Sequence, residues 1–250
     1  ATIKDHFGLA TEIARATHDI RSLTKEIQSQ WSKGAVGAVP NEKDDNVGRF
    51  IFENYNSLSL WNNHTKVHRL NKLIKQFDAD CALGVELQVQ WQLSDKNTTL
   101  PKLIAPGKAK RIALGYNTHE NYSRSQYGGT SVLTIGRLSQ FVTDTGSDPH
   151  KLGRWSWIQI GTGNTFTRIV SAYIPVRSTP SQSTKQDNRR RETVYSQHSR
   201  YFRQLGDRRC PRTIMVAHLG EQIALWKAAG EKVLLFVDAN SNVYDGILAK

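Results

Sequence analysis

The run Val233-Leu-Leu-Phe-Val-Asp-Ala-Asn240 constrains this chain most. Five apolar residues in a row, mostly branched, fit an extended strand buried on both faces. The run stops on a carboxylate, Asp238. Asn240 follows two positions later, on the same side of an extended backbone. In open α/β sheets, ligands gather at the carboxyl ends of such strands. A carboxylate there can orient a water or hold a cation, and an amide beside it can hydrogen-bond an oxyanion. Asp and Asn also form turns after a plain strand, so the run alone leaves both possibilities open.

Upstream, the same pattern repeats in a β-α-β arrangement. Phe50-Ile-Phe-Glu-Asn-Tyr55 reads as a strand. Val67, Leu70, Leu73, Ile74 and Phe77 fit one face of a helix. Asp80-Cys-Ala-Leu-Gly-Val-Glu86 reads as a second buried strand. A right-handed crossover between parallel strands sets both carboxyl ends on one edge of the sheet. Asn54 and Glu86 are then a candidate cation site, because Mg²⁺ accepts a few carboxylate or amide oxygens and keeps several waters.

Four further strands are expected as a meander: Arg111–Tyr116, Thr130–Ile135, Trp155–Ile160 and Arg168–Ile174. Gly128-Gly129 and Gly161-Thr-Gly163 supply turns between them. The last strand ends at Tyr173, whose hydroxyl can reach a bound oxyanion or simply pack in the sheet. Pro175 then forbids a continued central ladder. A helix from about Thr213 to Ala229 turns Met215, Leu219, Ile223 and Trp226 inward and stops at Gly230.

The chain carries a formal charge of +12, which points to a polyanionic partner. The charge is not spread evenly. Residues 185–212 hold nine Lys/Arg against three Asp/Glu, a net of +6. Arg189, Arg190, Arg191, Arg200 and Arg203 lie there with Tyr195, Tyr201 and Phe202 among them. Guanidinium groups beside aromatics pair with phosphates and stack on bases, while a solvated loop or helix face has the same composition. Residues 1–49 carry seven charges of each sign and take no share of the excess. Ile13, Ile20 and Ile27, with Ala16 and Leu23, mark an amphipathic helix over 1–33, and 34–48 reads as a linker to the domain at 49–250. Cys81 and Cys210 suggest no disulfide framework and hence a reducing, intracellular compartment, the nucleus included. No apolar run of membrane-spanning length occurs, so no membrane partner is expected.

Taken in order, strand–Asn54, helix, strand–Glu86, the Gly-Gly turn, Ser171-Ala-Tyr-Ile-Pro175, helix and strand–Asp238-Ala-Asn240 resemble the endonuclease/exonuclease/phosphatase superfamily. Gln126-Tyr-Gly-Gly-Thr130 and Leu152-Gly-Arg-Trp155 are similar to retrotransposon-type endonuclease domains within it. The resemblance implies a DNase-I-like α/β sandwich, two packed mixed sheets flanked by helices, over about residues 49–246. It implies Glu86 and Asn54 beside a Mg²⁺ or Mn²⁺ ion and Tyr173 on the phosphate. Asp238 and Asn240 match the pair that orients the attacking water and stabilises the transition state. The implied chemistry is metal-assisted phosphodiester hydrolysis on nucleic acid, DNA before RNA. The family's C-terminal Ser-Asp-His segment has no counterpart here, so the expectation is a C-terminally incomplete domain. Such a domain is weak or inactive unless a protein partner or second chain completes it. A non-catalytic nucleic-acid-binding module and a phosphatase of small phosphoesters are the other functions this pattern allows.

Overall fold

Side-chain alternation divides the apolar residues of the strands among three cores. In the computed structural model, which describes residues 48–55, 65–89, 102–119, 126–177 and 193–241, the first sheet contains β1 (Phe50–Asn54), β2 (Cys81–Val85), β3 (Lys110–Gly115) and β4 (Thr130–Ile135). Its order is β1-β2-β4-β3. The second contains β5 (Val142–Ser147), β6 (Trp155–Thr162), β7 (Thr165–Tyr173) and β8 (Lys232–Asp238), in chain order. Both are mixed: β1 and β2 run parallel, as do β7 and β8, and the other pairs are antiparallel.

Alternate residues of β2 and β4 face opposite ways, as the two-residue period requires. Ala82 and Leu133 join Val67, Leu70 and Ile74 of helix α1 (Thr65–Gln76) in one core. Cys81, Leu83 and Val132 point the other way, into a core shared with Ile158 and Ile169 of the second sheet. On the far side of that sheet, Trp155, Val170 and Ala172 meet Met215, Leu219 and Trp226 of helix α3 (Pro211–Ala228). The result is the α/β sandwich of two packed mixed sheets flanked by helices that the sequence led us to expect. Ser171 Oγ stitches the sheets together by donating to the Gly84 carbonyl at 3.0 Å, with both partners buried.

Helix α2 (Val194–Gln204) lies inside the basic segment. It begins on a capping box, in which the Thr193 side chain accepts from the Ser196 N–H and the Ser196 hydroxyl accepts from the Thr193 N–H. Helix α3 begins at Pro211, two residues before the expected start, because proline at the first helical position loses no hydrogen bond. It ends before Gly230, at φ +81°.

Three expectations are corrected. The strand at 233–237 is not buried on both faces: Leu234 and Leu235 are 42% and 40% exposed. Among the described residues β8 pairs with β7 alone, and an edge strand cannot bury what a central one does. The four strands expected as a meander do not form one sheet. The chain leaves the first sheet after β4 through a 3-10 turn, Gly136–Phe141, and enters the second at β5. Strand β5 itself was not anticipated, since Val142-Thr-Asp-Thr-Gly-Ser147 has a single large apolar residue. It holds its place by pairing with β6 and by tucking Gly146 under the Trp157 ring, where a Cβ would lie 2.4 Å from the ring.

The chain divides into two units, Ala1–Asp44 and Asp45–Lys250. The helix expected over 1–33 and most of the linker at 34–48 lie outside the described residues, as do Arg189, Arg190 and Arg191.

Candidate active site at the shared edge of the sheets

The parallel pairing of β1 with β2 sets Asn54 opposite Val85, so Asn54 and Glu86 sit at adjacent strand ends. In the second sheet, Tyr173 stands opposite Asp238. The two edges meet. Asn54 Nδ2 donates to Asp238 Oδ2 at 2.6 Å, across 184 positions of sequence. The Tyr173 hydroxyl donates to Glu86 Oε1. Four side chains from four strands are thus linked in two pairs, each pair crossing from one sheet to the other. Asn240 completes the group from the turn after β8. Its N–H donates to Asp238 Oδ1 at 3.2 Å, and its side-chain amide donates to the Ile174 carbonyl at 2.9 Å. All five residues expected at the site from sequence therefore lie together.

The backbone is bent to put them there. Glu86 and Asn240 both have positive φ, 51° and 45°. Asparagine tolerates that region, but glutamate rarely visits it, and such a conformation persists only when its surroundings impose it. For Glu86 the surroundings come from Gln126-Tyr-Gly-Gly-Thr130. The Gly129 and Gly128 carbonyls accept from the N–H groups of Leu87 and Gln88, at 3.4 and 2.9 Å. Gly128 and Gly129 have φ of +73° and +92°, which glycine alone adopts without strain. For Asn240 the clamp is Arg212, 8% exposed, whose guanidinium donates to the carbonyls of Pro175, Ala239 and Asn240 at 2.6, 3.0 and 3.1 Å. Arg212 was counted from sequence with the basic segment. Its charge instead satisfies three backbone oxygens, and only a long-range contact could have revealed that.

Tyr173 is 3% exposed, and burial, reinforced by the hydrogen bond to Glu86 and by the charges of Glu86 and Asp238, pushes its phenol far above the usual range. Tyr173 is neutral and a hydrogen-bond donor at any physiological pH. Around the site the donors are carboxylate, amide and phenol oxygens, which suit a hard cation such as Mg²⁺ held by one or two carboxylates and otherwise by water and phosphate. Among the described residues no group of three or more His, Cys, Asp or Glu could enclose a metal ion without such help.

The described histidines beyond His68 gather elsewhere. Asp148 and Arg154 form a fully buried ion pair, with Nη2 at 2.6 Å and Nε at 2.7 Å from the carboxylate. Arg154 Nη1 meets His218 Nδ1 at 3.2 Å, His218 stacks on His150 at 4.9 Å, and His198 Nε2 bonds the Leu152 carbonyl at 3.3 Å. No histidine there hydrogen-bonds Asp238, Glu86 or Asn240. The Leu152-Gly-Arg-Trp155 stretch belongs to this cluster: Leu152 bridges to Asn117, and Gly153, at φ +75°, passes so close to Tyr116 that a Cβ would lie 2.8 Å from its Cα. The Arg154 carbonyl then accepts from the Tyr173 N–H at 2.9 Å, so the cluster backs the candidate site.

Of the basic segment, Arg200 and Arg203 are exposed on α2. Phe202, expected among the stacking aromatics, is 2% exposed beneath Arg154 and unavailable to a base.

No family model matches the chain, and no curated protein matches it. Solved structures do. An AP endonuclease from Leishmania major is 14% identical, covering 61% of this chain and 49% of its own, at a TM-score of 0.42. An endonuclease/exonuclease/phosphatase family protein from Leptotrichia buccalis is 13% identical, covering 55% and 58%, at 0.39. The endonuclease domain of TRAS1, a telomere-specific non-LTR retrotransposon, is 13% identical, covering 78% and 62%, at 0.39. The chain spans about half the length of the AP endonucleases it matches. Likeness at this distance carries no activity over to the chain.

Proposed function

We propose that this chain is a nuclease-type hydrolase domain that cleaves phosphodiesters of nucleic acid, DNA before RNA, with the help of Mg²⁺ or Mn²⁺. The observation that carries this is the convergence of Asn54, Glu86, Tyr173 and Asp238 from four strands of two sheets onto one edge. Glu86 and Asn54 would hold the cation, whose chemistry is charge neutralisation on the phosphate. Asp238 holds and orients the attacking water. Asn240, whose amide has a second N–H beyond the one bonded to Ile174, donates to a non-bridging oxygen. Tyr173 turns its proton toward the phosphate once Glu86 is engaged elsewhere. The reaction needs positioning and charge complementarity and no covalent intermediate.

A plasmid-nicking assay with Mg²⁺ and with Mn²⁺ tests the activity, and a Mn²⁺ titration of Glu86→Gln tests the metal assignment. The variant keeps an oxygen for the Tyr173 hydroxyl and loses the charge. It is expected to bind Mn²⁺ at least tenfold more weakly; unchanged affinity removes Glu86 from the metal site.

One observation favours a second reading, a nucleic-acid-binding module without catalysis: among the described residues no histidine hydrogen-bonds the carboxylates. DNA binding with no nicking in either metal decides for it.

Arg189, Arg190 and Arg191, with the exposed Arg200 and Arg203, are proposed as the phosphate-contacting surface. Neutralising Arg189, Arg190 and Arg191 together is expected to weaken binding at every DNA sequence and to lower the slope of log K against log salt by about 3. A slope that stays put returns the segment to the role of a solvated loop.

A further inference from the structure

A polar cavity of about 330 Å³ lies between helix α2 and the loop that follows β3. One wall is the face of α2 that carries Gln197, Arg200, Tyr201 and Gln204, spaced three and four apart and hence aligned. The other wall is the loop after β3, with Asn117 and His119. Two features set this cavity apart from a packing gap. Gln197 is 1% exposed, and neither its side-chain oxygen nor its nitrogen has a partner. Asn117, also 1% exposed, spends its oxygen on the His119 N–H at 2.9 Å and leaves its nitrogen without one. Buried amides are rarely left so, because each orphaned group keeps its desolvation cost. Two of them lining one cavity give it polar groups with hydrogen bonds still to make, which a bound ligand can supply.

We propose that this cavity receives one unstacked nucleobase of the bound nucleic-acid strand; the inference rests on the nucleic-acid reading of the candidate active site. Gln197 offers a donor and an acceptor side by side, the pattern with which amide side chains read base edges. Asn117 Nδ2 adds a donor. The rings of Tyr201 and His119, 4.7 Å apart and tilted by 44°, form an aromatic wall for a planar guest. His150 Nδ1, 3.3 Å from the Tyr201 hydroxyl, fixes that ring. Exposed Arg200 sits at the mouth, where the strand's phosphate would lie. The position suits a single strand passing over both sites. Asn117 follows the end of β3, and Glu86 follows β2, two strands away and hence about 10 Å across the sheet.

The test measures binding of the full chain to three duplexes: one with a single unpaired adenine, the same duplex with an abasic spacer at that position, and a fully paired control. Deoxyadenosine monophosphate is titrated alongside, read by the amide resonances of Asn117 and Gln197. The unpaired base is expected to bind about tenfold or more tighter than the spacer. Gln197→Leu should erase that difference and leave paired DNA unaffected. Its Tm should hold or rise by a few degrees, since the buried Gln197 amide without partners is replaced by an apolar side chain. Equal affinity for base and spacer, in a protein that does bind DNA, overturns the pocket and leaves the site reading standing. Mononucleotide shifts at Asn117 and Gln197 without DNA binding sustain the pocket and sink the site reading. Neither DNA nor mononucleotide binding overturns both.

Discussion

Asp238→Asn is expected to reduce metal-dependent nicking by about 100- to 10,000-fold while leaving the melting temperature nearly unchanged, the range over which a positioned general base acts. The substitution separates charge from structure. Asn54 Nδ2 donates to Asp238 Oδ2, and an asparagine oxygen can accept the same bond. The Asn240 N–H, bonded to the other carboxylate oxygen at 3.2 Å in an exposed contact, loses its acceptor to the new amide nitrogen, while the backbone carbonyl of residue 238 still receives the Ile174 N–H at 2.9 Å. The larger loss is the negative charge proposed to hold and activate a water. Asp238→Ala removes the Asn54 contact as well and should be worse, because a bond that joins the two sheets at this edge is then lost. Nicking by Asp238→Asn at the level of the unaltered chain would remove Asp238 from the chemistry. A drop in nicking matched by an equal drop in Tm would make its role structural.

Much of that site could be read in the sequence because its residues close short apolar runs. Buried strands carry few carboxylate or amide side chains inside them, so such a residue after an apolar run marks the strand end, and parallel pairing brings such ends together. Glu86 and Asp238 were found in that way, Asn54 as the amide that closes its strand just after Glu53, and Tyr173 at the strand end that Pro175 marks. Residues that act from inside other elements gave no local signal. Arg212 looks like one more arginine of a basic run, yet it caps the Asp238–Asn240 turn from the first turn of α3. Gln197 sits in a helix of ordinary amphipathic pattern, and only its burial without partners sets it apart. Strand β5 failed for the opposite reason: its hydrogen bonds come from β6, and its own residues carry almost no alternation. Phe202 shows that interleaving of arginine and aromatics does not by itself mark a nucleic-acid surface, since the amphipathic helix turns this ring inward with His198.

Breaking the buried pair Asp148–Arg154 should have the largest effect on stability, about 3–5 kcal/mol for Asp148→Asn, or roughly 6–20 °C in Tm. Neither side chain reaches water. Burial alone would raise the Asp148 carboxyl, but the Arg154 hydrogen bonds and charge outweigh it and hold the group below the usual range. Asp148 also accepts from the N–H groups of His150 and Leu152 at 2.9 and 3.1 Å, which shapes the 148–154 turn. Removing the charge strands the guanidinium among Trp155, Phe202 and His218. The same cluster sets the acid limit of the fold. Burial, helped by Arg154, lowers His198 to about 4 from an ordinary 6.5, and burial lowers His150 and His218 in the same direction. Between those values the unfolded chain takes up protons that the folded chain refuses. Stability therefore falls as pH drops from about 6.5 to about 4, by about 3 kcal/mol for His198 alone. Below that window the stabilisation from Asp148 is lost in turn, as its carboxyl protonates. Thermal melts from pH 7 to pH 4 check both statements, with His198→Gln expected to flatten the profile and Asp148→Asn to lower it throughout. A Tm independent of pH in the unaltered chain, or an Asp148→Asn variant as stable as its parent, would mean that the pair and the histidines around it are open to water.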